Sequence, residues 1–313
     1  MTYRVLVTDY RWPDLSVERS VLEPAGIELV VARTGELDEL RRLAADVDAI
    51  MTCFKLVDAS VLRAASRCRT VARYGVGLDN IDVACATGLG MVVTNVPDYC
   101  RDEVADHALL LILGLARRIG PAIGSDAPPA TPVRLRGKTI GLVGLGSIAS
   151  ALVPRAQALG LEVIAYSRRG HSALPVRIVT DLEALLGLSD IVSLHVPATP
   201  GTHHLVDARR LRLMKPGAFL INTARGSLVD TAALVEALEQ GQIAGAGLDV
   251  TEPEPLPADH PLRTHPNVLL TPHMAFYSDG SVEELAATAA RNVLDVLQGR
   301  RPAHVVNPSV TSR

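Results

Sequence analysis

The chain holds only four cysteines, Cys53, Cys68, Cys85 and Cys100, with no C-x-x-C spacing and no histidine-rich metal pattern around them. A disulfide scaffold and a cysteine-based metal knuckle are therefore set aside. The thiols read as reduced side chains of a cytoplasmic protein. Positive charge is not in excess: 31 Lys and Arg stand against 34 Asp and Glu, a net charge of −3. That balance gives no electrostatic footprint for nucleic acid or an anionic membrane. No apolar run is long enough to span a bilayer, and residues 1–9 lack the basic-then-apolar order of a signal segment. What remains is a chain of 313 residues, 48% hydrophobic and 21% charged, long enough for two soluble domains.

Short apolar runs alternate with helical stretches, which predicts α/β folding on parallel sheets. Strands are expected at Arg4–Thr8, Glu28–Ala32, Ala49–Thr52, Thr70–Tyr74 and Gly90–Thr94. Helices are expected near Ser16–Glu23, Leu37–Ala45 and Ala59–Ala65, and Asp79 offers a cap for the next. Val104, Ala105, Ala108, Leu109, Leu111, Ile112 and Leu115 then mark a long amphipathic helix from Arg101 to Arg118. A Pro/Gly-rich linker, Gly120 to Pro132, leads into the middle of the chain. A last helix, about Ser281–Leu297, stops at Gly299, and the tail is expected to return to the first domain.

Lys138 to Arg169 reads as a nucleotide site. An apolar strand feeds directly into Gly144-Leu-Gly146-Ser-Ile-Ala149, the G-x-G-x-x-G/A turn of dinucleotide-binding folds. Gly144 makes the tight turn, Gly146 lets backbone N–H groups approach a pyrophosphate, and the small Ala149 lets the helix pack close. The next strand, Glu162–Tyr166, ends where an NAD site places an acid for the ribose 2′-hydroxyl; here the chain has Ser167-Arg168-Arg169. A carboxylate would repel a 2′-phosphate, whereas a hydroxyl and two guanidiniums would hold one. NADP(H) is therefore favoured, with NAD(H) possible.

Three later strands each lead to a reactive side chain. Arg225 follows Ala218–Ile221, the acids Asp249 and Glu254 follow Gly247-Leu248, and His273 follows Leu269–Pro272. Ligands bind at the carboxyl ends of strands in open α/β sheets. Any one of these residues alone would more often be structural. Together they match reduction of a 2-keto acid: Arg225 binds the substrate carboxylate and polarises the ketone, and His273 supplies the proton. Glu254 orients the imidazole and supports its charged form.

Arg73-Tyr-Gly-Val-Gly-Leu-Asp-Asn-Ile-Asp82, Asn95-Val-Pro97, Val104-Ala-Asp-His107, Ser193-Leu-His-Val-Pro197, Asn222-Thr-Ala-Arg-Gly226, Asp249-Val-Thr-Glu-Pro-Glu-Pro255 and Thr271-Pro-His273 occur in this order, with the glycine turn among them. Over nearly its whole length the chain thereby resembles the D-isomer-specific 2-hydroxy-acid dehydrogenases. These include phosphoglycerate dehydrogenases, glyoxylate/hydroxypyruvate reductases and C-terminal-binding-protein corepressors. The resemblance implies a Rossmann-type cofactor domain (101–281) inserted into a flavodoxin-like substrate domain (1–100 with 282–313). It gives Arg225, Glu254 and His273 the catalytic roles argued above. Asp249, with the backbone at Thr223 and Ala224, would hold the nicotinamide carboxamide. Ser147 and Ile148 would face the pyrophosphate, and Val196 and Pro197 would line the adenine side. N–H groups of Val76 and Gly77 would form a nest for the substrate carboxylate.

The resemblance also implies a homodimer, although the 120–132 linker is shorter than the family's clasping arm and lacks its tryptophan. Phe276-Tyr277-Ser278 looks most like the corepressor branch. Two readings compete with the reductase: a cofactor-sensing binding protein, and an NAD-dependent phosphoglycerate dehydrogenase. No metal is expected, because the adjacent His203 and His204 should not both face one ion. His195 reads as a core or adenine-side histidine and Cys53 as a pocket wall; Lys55 beside it could touch a substrate's distal group.

Overall fold

The computed structural model describes residues 2–123, 130–167, 170 and 174–310. Arg168, Arg169 and residues 124–129 of the expected linker lie outside them. The chain divides into two compact units, Met1–Tyr99 with Ser278–Arg313, and Cys100–Tyr277.

The first unit is built on five parallel strands, β1 (Arg4–Val7), β2 (Glu28–Val31), β3 (Ala49–Thr52), β4 (Thr70–Arg73) and β5 (Val92–Thr94). Their order is β2-β1-β3-β4-β5, the flavodoxin-like arrangement. Helices α1 (Ser16–Leu22), α2 (Leu37–Ala44), α3 (Ala59–Ala64) and α4 (Val83–Gly88) connect them. Helix α4 starts later than expected. Its cap is Asp82, which accepts from the Cys85 N–H, and not Asp79. Asp79 and Asn80 form a turn that leads into a parallel bridge between Val57 and Ile81, so helical turns begin only after Asp82.

In the second unit, α5 (Arg101–Ala116) and the short α6 (Ile119–Ala122) precede the sheet. Strands β6 (Thr139–Val143), β7 (Glu162–Tyr166), β8 (Arg177–Val179), β9 (Ile191–Leu194), β10 (Phe219–Asn222), β11 (Gly245–Leu248) and β12 (Val268–Leu270) form it. They alternate with α7 (Ser147–Ala158), α8 (Leu182–Leu188), α9 (Ala208–Leu211) and α10 (Thr231–Glu239). All seven strands run parallel in the order β12-β11-β10-β9-β6-β7-β8. Taken from β6 this is the doubly wound 3-2-1-4-5-6 order with one strand added, and its winding reverses between β6 and β9. Alternate residues feed two cores: Ile191 and Phe219 pack on one face of the sheet, Val192 and Leu220 on the other. Strands buried on both faces need continuous apolar runs, which is why they were readable.

Helix α11 (Asp279–Leu297) belongs to the first unit. It begins two residues before the expected Ser281 because Ser278 and Ser281 form a reciprocal capping box. The tail beyond it pairs with β5: the Val306 N–H donates to Val93 O at 2.8 Å, and Asn307 Oδ1 accepts from the Val93 N–H at 2.8 Å. No described helix is long and apolar enough to cross a membrane.

Candidate active site

Strand β10 ends in a turn shaped by one buried amide. Asn222 Nδ2 donates to Arg225 O at 2.8 Å, and its Oδ1 accepts from the Ala224 N–H at 3.1 Å. Arg225 follows in extended backbone, and its Nη1 donates to Ala224 O at 2.8 Å. Gly226 comes next because nothing larger fits. A Cβ there would lie 2.0 Å from Thr251 O, on the loop that leaves β11. The Arg225 turn and the Glu254 loop are therefore in direct backbone contact.

The Asp249 carboxylate joins the ends of β11 and β12. Its Oδ1 accepts from Thr271 Oγ1 at 2.6 Å and from the Met274 N–H at 2.9 Å, and its Oδ2 accepts from the Ala275 N–H at 2.9 Å. The side chain is 1% exposed. These bonds bracket His273, whose own N–H donates to Asp249 O at 2.8 Å. His273 takes a left-handed φ of 52°, sparsely populated for a residue with a Cβ and held here by bonds on both sides. Its ring Nδ1 lies 2.6 Å from Glu254 Oε1. With Nδ1 engaged by a carboxylate, the ring's orientation is set by that contact.

His107 on α5 adds a contact that the sequence reading missed. Its Nε2 is 2.9 Å from Thr271 Oγ1. The threonine has one hydroxyl proton and spends it on Asp249, so it accepts from His107, which then carries its proton on Nε2. A sequence signal existed: His107 stands three residues after Val104 and four before Leu111, on the helix face that is buried.

The nucleotide elements gather where β6 meets β9. Gly144 has φ 96°, and a Cβ there would lie 2.6 Å from His195 O. Ala149 is fully buried in the core under the turn. Gly146 is the cap residue of α7 and no side chain caps that helix, so its first-turn N–H groups suit an anion. Ser147 is exposed and Ile148 half-buried at this end. Val196 and Pro197 leave β9 beside them, and Ser167 leaves β7. Thr223, at the end of β10, has a buried hydroxyl with no hydrogen-bond partner among the described residues. An orphaned hydroxyl at a strand's carboxyl end and an uncapped helix start both fit a dinucleotide. His195 is bonded to Ser193 Oγ at 2.9 Å, and burial pushes it down to about 4, so it stays neutral near pH 7 and is no second acid.

The model of the D-isomer specific 2-hydroxyacid dehydrogenase NAD binding domain matches residues 117–275. A glyoxylate reductase of Thermofilum pendens is 44% identical over 288 residues, covering 87% of this chain and 85% of that protein. The chain belongs to the D-isomer-specific 2-hydroxyacid dehydrogenase family. It is a nicotinamide-dependent enzyme acting between 2-keto and 2-hydroxy acids. Among solved structures it is similar to an NADPH-dependent glyoxylate/hydroxypyruvate reductase of Sinorhizobium meliloti in complex with NADP and malonate. The TM-score is 0.88 and the identity 33%, over 100% of this chain and 99% of that one. A D-lactate dehydrogenase of Aquifex aeolicus complexed with NAD and lactic acid gives a TM-score of 0.88 at 28% identity, over 97% and 99%.

In the dehydrogenase's first unit, the Val76–Gly77 turn presents its amides in a defined direction. Gly75 O accepts from the Val96 N–H at 3.0 Å, and Val76 O accepts from Asn95 Nδ2 at 2.8 Å. In trans peptides the N–H points opposite the carbonyl, so the Val76 and Gly77 N–H groups both turn away from residues 95–96. Cys53 is buried, and burial pushes its thiol up to about 12, which excludes a thiolate nucleophile near neutral pH. Lys55 Nζ is 3.2 Å from Glu36 Oε1, so its charge has a protein partner.

His203 and His204, expected not to face one ion, lie with rings stacked at 3.9 Å and Nε2 atoms 3.7 and 3.0 Å from Glu252 Oε2. The reason is the left-handed φ of 48° at His204, which turns neighbouring side chains to one side where an extended chain would alternate them.

Proposed function

We propose that this dehydrogenase reduces a small 2-keto acid, such as glyoxylate or hydroxypyruvate, to the D-2-hydroxy acid with NADPH. The observation that carries the reading is the 2.6 Å contact between His273 Nδ1 and Glu254 Oε1, on the loop that abuts the Arg225 turn. Arg225 binds the substrate carboxylate through its planar fork and polarises the ketone oxygen. On the first unit, the N–H groups of Val76 and Gly77 suit a carboxylate. When bound, the nicotinamide cofactor would supply the hydride for the carbonyl carbon. His273, held by Glu254, gives its Nε2 proton to the oxygen, leaving a neutral imidazole and a hydroxyl. Gly144, Gly146, Ser147 and Ile148 take the pyrophosphate, Val196 and Pro197 the adenine side, and Thr223, Ala224 and Asp249 the carboxamide.

Ser167, Arg168 and Arg169 favour the 2′-phosphate of NADPH on charge alone. Support also comes from the NADPH-dependent reductase among the similar structures, and the NAD-bound lactate dehydrogenase marks the alternative. A homodimer completes the proposal, supported by the exposed Leu110 and Ile119 on α5 and α6, and the free cysteines fit a cytoplasmic setting.

The test is oxidation of NADPH and NADH with a panel of 2-keto acids. Turnover is expected with at least one of them, and His273→Gln should lower kcat by at least ~10²-fold. Absence of turnover, or an active His273→Gln, refutes the chemistry. Arg168→Ala should weaken NADPH by at least ~10-fold while sparing NADH. Equal losses refute the 2′-phosphate role and leave the reaction class standing.

A further inference from the structure

We infer that His203, His204 and Glu252 form a binding site for a divalent transition-metal ion of the zinc type, on the second unit and separate from the His273–Glu254 pair. Their ligand atoms all lie within 4.8 Å of one another. Zinc bound at about 2.0–2.1 Å to imidazole nitrogen, and similarly to carboxylate oxygen, places tetrahedral ligands roughly 3.3 Å apart. The observed separations to Glu252 Oε2, 3.0 and 3.7 Å, stand on either side of that value. The rings are stacked with 23° between their planes and must open to a wider angle for both in-plane lone pairs to meet one ion. Side chains with this much exposure do so at low cost, His203 at 55% and His204 at 38%.

The backbone supporting the cluster is pinned on each side. The His203 N–H donates to Thr199 O at 3.0 Å, and the His204 N–H donates to Ser227 O at 2.8 Å. On the other arm, Thr231 Oγ1 donates to Glu252 O at 2.7 Å. A left-handed backbone at a histidine is costly, and here it places a second imidazole beside the first. Two histidine stacking partners sharing one carboxylate gain little as a salt bridge, since charging both rings would set two cations in contact. As neutral ligands they present two nitrogens and one anionic oxygen, a set suited to Zn²⁺ and also to Cu²⁺ or Ni²⁺, with the fourth position left to water.

The experiment is titration of the metal-free full chain with ZnCl₂ by calorimetry, beside equilibrium dialysis for stoichiometry. The variants are Glu252→Gln and His204→Asn. Asparagine tolerates left-handed backbone, so His204→Asn removes the ligand without adding strain. One zinc ion per chain should be lost, or weakened at least ~10-fold, in each variant, with melting temperatures of the metal-free proteins unchanged. Zinc binding of equal strength in wild type and both variants would overturn the site. So would absence of binding by the wild type. Because the readout is binding of metal to metal-free protein, it is independent of turnover.

Discussion

Thr271 Oγ1 donates to Asp249 Oδ1 at 2.6 Å while accepting from His107 Nε2 at 2.9 Å, two residues before His273. One small hydroxyl thus completes the bonding of a buried carboxylate and a half-buried imidazole from a distant helix. Thr271→Val keeps the shape and removes the hydroxyl, leaving His107 and Asp249 each one partner short. The expected cost is about 1–3 kcal/mol of stability, read by denaturant unfolding. Because the same bonds bracket His273, kcat should fall more than KM rises, and Thr271→Ser should restore both. A valine variant with wild-type kcat and stability would show that the network does not position His273.

Gly226 offers a second check on how the site is held. A Cβ at Gly226 would meet Thr251 O at 2.0 Å and Glu252 N at 2.8 Å, backbone atoms that cannot swing aside. Gly226→Ala must therefore displace the turn carrying Arg225 or the loop carrying Glu254. The expected result is a loss of about 1–3 kcal/mol together with lower kcat/KM for the keto acid. Gly146→Ala is the contrasting variant, since a Cβ there meets nothing within 4 Å. Its melting temperature should stay at the wild-type value while the KM for NADPH rises. If the two variants behave alike, the glycines do not have these separate roles.

Much of the fold was legible because the strands are buried on both faces. The runs Ala49–Thr52 and Glu162–Tyr166 fall on β3 and β7 without a residue's difference. Helix starts were less legible. Asp79 and Asp82 are equally good caps as residue types, and only the Val57–Ile81 bridge decides between them. Arg225, Glu254 and His273, the proposed catalytic set, stand out in the sequence as polar side chains that follow apolar runs. For the Thr271–His107 bond, helical spacing marks only that His107 faces inward, and its partner 164 residues away is not marked. Nor is the shared direction of His203 and His204, which depends on one backbone dihedral that no residue type announces.

Glu18 sets a pH dependence on the first unit. The carboxyl is fully buried, with Oε1 accepting from Trp12 Nε1 at 3.1 Å and from the Tyr74 hydroxyl at 3.0 Å. Its Oε2 has no partner among the described residues. Burial therefore pushes Glu18 up from the ordinary glutamate value of 4.5, and the folded state keeps a proton that the unfolded chain has released. Stability from this group is complete below the ordinary glutamate value and declines as pH rises through the folded one. Glu18→Gln keeps an oxygen for both donors and carries no charge. It should flatten the pH dependence above the ordinary glutamate value. Trp12, the only tryptophan in the chain, lies against the carboxyl and reports the unfolding directly by fluorescence. Parallel pH–stability curves for wild type and Glu18→Gln would show that the carboxyl does not titrate between the folded and unfolded states.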